Sequence, residues 1–228
     1  MPPRALEPAG VALVDKPRGP SSFAIVAEIR RKTGARTGHA GTLDPFATGL
    51  LLLLSGRTTK LAPRLVGLDK RYLTEIDLSA RTSTGDPEGE VIARVEPPAQ
   101  DELATRLESL RGEIELPIPA ASAVKIGGER AYKLARRGVE VEMPLRRSTV
   151  YALDLLGYAD GRALLDLTVS SGTYVRAIAD ALGGHCVSLR RTEVGPFLVA
   201  DAVTPDAFVP ERLLSEAAVL GAIAAGVA

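Results

Sequence analysis

Polar and apolar positions alternate in several short stretches of this chain and recur at helical spacing in others. Val11–Asp15 reads as a short strand. Arg71–Leu78 alternates around Tyr72, Thr74, Ile76 and Leu78 as a half-buried strand, and Glu90–Val95 pairs back after a turn at Thr82–Gly89. Arg147–Leu156 and Ala163–Ser170 are neighbouring strands about a turn at Asp160-Gly161, and Leu189–Thr192 is a short strand. Leu50–Leu54 is an unbroken apolar run. Helical spacing places Phe23, Val26, Ala27 and Ile29 on one face of a helix that Ser21 or Ser22 caps and Gly34 ends. Further helices are expected over Arg57–Val66, Asp101–Leu110, Glu129–Arg137 (ended by Gly138), Thr173–Leu182, and from Pro210 onward. Thr33–Phe46 reads as a glycine-bearing loop and Glu115–Pro119 as an extended one. Helices and hairpin-spaced strands intermingle, which predicts an α+β fold: a mixed, largely antiparallel sheet flanked by helices and loops.

The 228 residues suit one large domain, or one domain with an appendage. Trp is absent and aromatics make up 4%, so the core should be aliphatic. No apolar stretch approaches the roughly 20 residues of a membrane span. Met1–Gly10 holds three prolines and no signal-peptide core, so a cytoplasmic protein is expected. The lone Cys186 excludes an internal disulfide, and neither it nor His185 has partners at metal-ligand spacing, so no metal is expected. The formal net charge is zero, but its distribution is uneven. Nine basic residues lie between Arg30 and Arg71 against Asp44 and Asp69; eleven acids lie between Glu75 and Glu115 against four arginines. Such a chain can present a face that attracts a polyanion while staying neutral overall; alternatively, the two blocks mix as ordinary solvated surface.

The stretch around Asp44 is the most unusual. It combines three glycines, His39, and an aspartate directly before a proline. Glycines allow positive φ and close approach to a ligand. Pro45 disfavours helical backbone at Asp44. A carboxylate held there can act as nucleophile or base. From spacing alone it serves equally well as a turn cap.

The run Gly38-His39-Ala40-Gly41-Thr42-Leu43-Asp44-Pro45-Phe46-Ala47-Thr48-Gly49 resembles the signature loop of the TruB-type tRNA pseudouridine synthases. Other blocks resemble that family in the same order: Asp15-Lys16-Pro17 with Gly19, Ser21 and Ser22; Lys70-Arg71-Tyr72; Thr82, Thr84, Asp86 and Gly89; Ser122-Ala123, Lys125 and Gly128; Tyr132, Ala135-Arg136 and Gly138; Ser170, Gly172-Thr173-Tyr174-Val175-Arg176; and Leu189-Arg190-Arg191-Thr192 with Gly195-Pro196-Phe197. Together they cover residues 10–197. The resemblance implies the pseudouridine synthase fold and the isomerisation of uridine-55 in the T-loop of tRNA, without cofactor or metal. It implies Asp44 as the catalytic carboxylate, Arg176 as its cationic partner, and Tyr72 as the residue stacking on the target base. It also implies Tyr174 and Leu189 in the uracil pocket, His39 filling the gap left by the flipped nucleotide, and Lys16 as a support or contact near the site. Extruding a base costs a few kcal/mol in general. Arg146, Arg147, Arg190, Arg191 and the basic block are candidate phosphate contacts.

The chain departs from the family pattern at Leu116 and Ala121, where glutamine and tyrosine are frequent, and in a shortened stretch between Arg176 and Leu189. Residues 1–205 are expected to form the catalytic domain and 206–228 a short helical tail without a PUA domain. The partner implied is tRNA, at its T-loop and elbow, met by a monomer with no guide RNA and no membrane. The alternative is an RNA chaperone of the same family that binds tRNA with weak or absent catalysis.

Overall fold

The computed structural model describes residues 8–226 apart from 138 and 140. In chain order its first elements are β1 (Gly10–Lys16), α1 (Ser22–Thr33), β2 (Thr37–His39), β3 (Thr48–Ser55), a 3-10 helix (Gly56–Leu61), α2 (Ala62–Val66), β4 (Lys70–Asp77), β5 (Ala80–Thr82), β6 (Val91–Arg94) and α3 (Gln100–Ser109). Then come β7 (Gly112–Pro117), β8 (Lys125–Ile126), β9 (Glu129–Arg130), α4 (Ala131–Arg136), β10 (Leu145–Ala159), β11 (Arg162–Val169), α5 (Val175–Ala181), β12 (His185–Val194), β13 (Phe197–Leu198) and α6 (Glu216–Ala225). They divide into two compact units. The first takes the chain up to Tyr72 and again from Arg190; the second is Leu73–Leu189.

In the first unit β3 is the central strand. It runs antiparallel to β1 from Val11↔Leu54 to Lys16↔Gly49. It also pairs with β2 at Thr37↔Ser55, Gly38↔Leu54 and His39↔Leu53. The end of β12 joins it in parallel at Arg190↔Thr48 and Arg191↔Gly49. Leu50 to Leu54 are all at most 1% exposed, because β3 is covered on both faces. That explains the unbroken apolar run in place of alternation. Each such leucine contributes roughly 2 kcal/mol of gross burial energy. One side of the strand packs Leu50, Leu52 and Leu54 with Val11, Leu61, Leu65, Val194, Phe197 and Val219 of α6. Helix α1 buries Ile25, Val26 and Ile29; Ser21 caps it by accepting from the Ala24 N–H, and Gly34 ends it at φ 67°.

In the second unit the strand order is β12, β4, β11, β10, β7. The β10–β11 hairpin turns at Asp160 and Gly161, both at positive φ (51° and 73°), the pattern of a type I′ turn.

Several expectations need correction. The Thr33–Phe46 loop contains β2, since edge pairing to β3 satisfies its backbone without an apolar pattern. Arg57–Val66 is a 3-10 helix followed by one α-turn. Pro63 has no N–H to give the Thr59 carbonyl, and Ala62 N bonds it in the tighter 3-10 manner instead. Glu115–Pro119 is largely strand β7, paired with β10 from Gly112↔Val150 to Pro117↔Leu145. The helix expected over Glu129–Arg137 begins only at Ala131, after the β8–β9 hairpin; the stop assigned to Gly138 lies outside the described residues. The helix expected over Thr173–Leu182 spans Val175–Ala181, with Tyr174 as its N-cap. The strand at Leu189–Thr192 runs from His185 to Val194, because buried His185 meets the Ala80 carbonyl at 2.9 Å and so can sit inside. Pro210 opens only a 3-10 turn; the terminal helix starts at Glu216, where Ser215 accepts from the Ala218 N–H.

Candidate active site

The Asp44 loop in the first unit is fixed from three sides. Ser22 opens α1 and is 2% exposed. Its hydroxyl donates to the Leu43 carbonyl and accepts from the Leu43 N–H, both at 2.8 Å. Lys16, at the end of β1, is fully buried, and its ammonium donates to the carbonyls of Pro17 (3.0 Å), Pro45 (3.2 Å) and Ala47 (2.6 Å). Arg191, on β12, is 1% exposed and donates to the carbonyls of Leu50 (2.7 Å), Gly41 (3.2 Å) and Thr42 (3.5 Å). Backbone on both sides of Asp44 is thus tied to buried cations or hydroxyls. The close passage of β12 requires Gly49: at φ 101°, a Cβ there would lie 2.2 Å from the Arg191 carbonyl oxygen. Asp44 itself is half-buried, and its carbonyl accepts from the Ala47 N–H at 3.1 Å.

Lys16, expected as a support or a contact near the site, and Arg191, expected as a candidate phosphate contact, are both buried. Lys16 supports the loop from beneath, spending its charge on carbonyls. Arg191 is no phosphate contact, because it is buried; Arg190 forms a forked pair with Asp15 at 3.0 and 2.8 Å. His39, on β2, has its Nδ1 buried with no hydrogen-bond partner. Burial, and after it the Arg191 guanidinium, pushes the His39 imidazole below its usual pKa, so the ring is neutral at pH 7. Lys70 donates to the carbonyls of Val66 (2.5 Å) and Leu68, and its pKa falls to about 8 through burial first and Arg191 second, against an opposing pull from Asp69. Tyr72, two residues on, is 8% exposed.

The second unit holds Tyr174, Arg176 and Leu189. Arg176 is 3% exposed, in the first turn of α5. It donates to the carbonyls of Thr84 (2.8 Å) and Ala121 (2.9 Å) and meets the Asp86 carboxylate at 3.5 Å. Asp86 is in turn held by the Thr84 hydroxyl (2.6 Å) and the Glu88 N–H (3.0 Å). The motif Thr82, Thr84, Asp86, Gly89 is therefore a cradle for this guanidinium. Gly89 completes it, since a Cβ there would lie 2.3 Å from the Thr84 hydroxyl. Beside Ala121, Ser122 has a buried hydroxyl without a partner. Tyr174 lines a narrow crevice with Ile114, Leu116, Arg146 and Ala177, and Leu189 is 6% exposed. Sequence reasoning offered Ser22 only as an alternative helix cap, and gave Asp86 no role beyond the turn and the motif block that contain it. Among the described residues, no three His, Cys, Asp or Glu side chains gather as metal ligands. No helix there is long and apolar enough to cross a membrane.

The fold and this aspartate loop define a pseudouridine synthase. A crystal structure of a pseudouridylate synthase superposes with TM-score 0.50 at 19% identity, covering 96% of this chain and 75% of that one, a likeness of fold alone. A crystal structure of a Cbf5–Nop10–Gar1 complex matches with TM-score 0.66 at 28% identity, covering 86% of this chain; this chain spans 52% of the one it matches. The model of the TruB family pseudouridylate synthase N-terminal domain matches residues 30–175. The tRNA pseudouridine synthase B of Leifsonia xyli is 45% identical over 210 residues, covering 85% of this chain and 70% of that protein. The chain belongs to the TruB family. Family and fold class are those expected from the sequence, and the relative's name carries the activity expected.

Proposed function

We propose that this chain isomerises uridine-55 in the T-loop of tRNA to pseudouridine, as the names of its relatives suggest for them. The observation carrying this reading is a family-matching loop whose backbone is clamped around Asp44 by Ser22, Lys16 and Arg191. Such rigidity suits a group that must meet a reacting carbon in one geometry. Asp44 triggers cleavage of the N-glycosidic bond, the freed uracil turns, and C5 bonds to the ribose. A proton lost at C5 balances one gained at N1, so no cofactor, metal or redox partner is required. Arg176 is the cation that keeps the carboxylate ionised, and Tyr72, Tyr174 and Leu189 hold the base. His39 occupies the gap left by the everted nucleotide; its orphaned Nδ1 supports this, since a buried polar atom without a partner is costly unless a ligand supplies one. The reading includes a monomer acting in the cytoplasm on tRNA without guide RNA, with residues 1–205 catalytic and 206–228 a helical tail.

The test is Asp44→Asn with an unmodified tRNA transcript and no added cofactor. Loss of pseudouridine at position 55 with retained tRNA binding is expected. An unchanged yield refutes the role of Asp44. A wild-type protein that binds and refolds tRNA but leaves uridine-55 intact is a chaperone instead.

A further inference from the structure

Strands β1 and β12 lie on either side of β3, at the end of that strand that the Asp44 loop enters. Each brings one buried cation to the loop, Lys16 from β1 and Arg191 from β12. Successive side chains of a strand point to opposite faces, so the residues just before these two, Asp15 and Arg190, lie on the other face of the sheet. There they meet. Nη1 of Arg190 donates to Oδ1 of Asp15 at 3.0 Å, and Nη2 donates to Oδ2 at 2.8 Å. Nη1 also lies 3.5 Å from the Thr48 hydroxyl. Asp15 is aligned with Leu50 of β3 and Arg190 with Thr48, so the pair spans the first residues of the central strand.

The seam that this pair crosses is short. β1 follows β3 over its whole length, from Gly10↔Ser55 to Lys16↔Gly49, whereas β12 meets β3 only at Arg190↔Thr48 and Arg191↔Gly49. Arg191 therefore reaches the Gly41, Thr42 and Leu50 carbonyls from a strand that few backbone bonds hold to β3. A forked guanidinium–carboxylate contact fixes both groups in one plane and one register, which a single hydrogen bond does not. The two side chains are partly exposed, and such pairs add little to global stability. The fork occupies both carboxylate oxygens and both Nη groups, which compensates the charge that a phosphate would otherwise meet.

We propose that Asp15 and Arg190 act together as a positioning pair: a clasp across β3 that sets the spacing of Lys16 and Arg191 and so holds the Asp44 loop in its reactive geometry. Neither residue touches the reacting atoms; each acts through the cation that follows it. The effect on turnover rests on the function proposed above, whereas the hold on the loop does not.

The experiment compares wild type with Asp15→Asn, Arg190→Gln and the double variant. Arg162→Gln is the control, because Arg162 meets Glu75 at 2.7 Å across the neighbouring strands β11 and β4 of the second unit. Turnover and binding are measured on an unmodified tRNA transcript, and amide hydrogen exchange is followed in residues 41–50 against β10 and β11. Each single variant should lower kcat about tenfold, short of the roughly hundredfold that a displacement of about 1 Å costs. KM and tRNA affinity should stay within about twofold of wild type. The double variant should fall within about twofold of the worse single one, since both remove the same contact. Exchange in residues 41–50 should quicken in all three, with β10 and β11 unchanged. The control should keep kcat within about twofold. Wild-type kcat in both single variants overturns the proposal, as do losses that multiply in the double variant. Weaker tRNA binding in Arg190→Gln alone, with kcat unchanged, makes Arg190 a phosphate contact and also overturns it. Exchange that stays at wild-type rates in residues 41–50 overturns the clasp whatever the turnover. Wild-type protein that forms no pseudouridine overturns the proposed function instead, and the exchange arm still decides whether the clasp holds the loop.

Discussion

Ser21 and Ser22 are adjacent, yet they have separable jobs. Ser21 is exposed and caps α1 through one bond, 3.2 Å, from the Ala24 N–H. Ser22 is buried and closes both backbone groups of Leu43, the residue before Asp44. Ser21→Ala should cost about 1 kcal/mol, the usual price of a lost N-cap. Ser22→Ala leaves a buried N–H and a buried carbonyl without partners, each worth about 1–3 kcal/mol. Some relaxation of the loop toward water is expected, so the total should be about 2–4 kcal/mol. The decisive difference lies in turnover. Loosening the loop shifts the Asp44 carboxylate, and displacement of a reacting group by about 1 Å costs on the order of a hundredfold. Ser22→Ala should therefore lower kcat at least about tenfold with little change in KM, while Ser21→Ala leaves kcat near wild type. Urea titrations give the stabilities; tritium release from 5-tritiated uridine in a tRNA transcript gives kcat, since the C5 proton departs during reaction. Equal kcat in Ser22→Ala and wild type, or an equal loss in both serine variants, would refute the claim that the hydroxyl positions the loop.

Further outcomes follow from the same contacts. With a folded pKa of about 8 against an ordinary lysine value of 10.5, folded Lys70 releases its proton before the unfolded chain does. Stability must then rise with pH between those values, and the charging penalty is full below pH 8. Relative to Lys70→Met, wild type should gain about 2–3 kcal/mol between pH 8 and pH 10 in urea titrations; a pH-independent difference contradicts this. Gly49→Ala meets the Arg191 backbone and should cost at least about 3 kcal/mol, seen as a lowered melting temperature. Asp86→Ala removes the buried carboxylate beside Arg176 and should cost about 3–5 kcal/mol and reduce kcat more than tRNA affinity; unchanged turnover would remove Asp86 from the cradle.

Read without coordinates, the chain already discloses its α+β class, its aliphatic core and the aspartate loop, because these depend on local sequence. Alternation marks β4, paired serines mark the start of α1, and Asp-Pro within a glycine-rich stretch marks an unusual backbone. What the sequence alone could not decide depends on partners distant in the chain. Strands β2 and β7 exist because neighbouring strands complete their hydrogen bonds, so their apolar pattern is weak. That Lys16, expected only as a support or contact, and Arg191, expected as a phosphate contact, are buried is decided by the fold. There carbonyls of Pro17, Pro45 and Ala47 for the one and of Gly41, Thr42 and Leu50 for the other replace the lost water. Which arginines remain exposed and unpaired is likewise a tertiary result, since charge is fixed by composition but pairing is fixed by proximity.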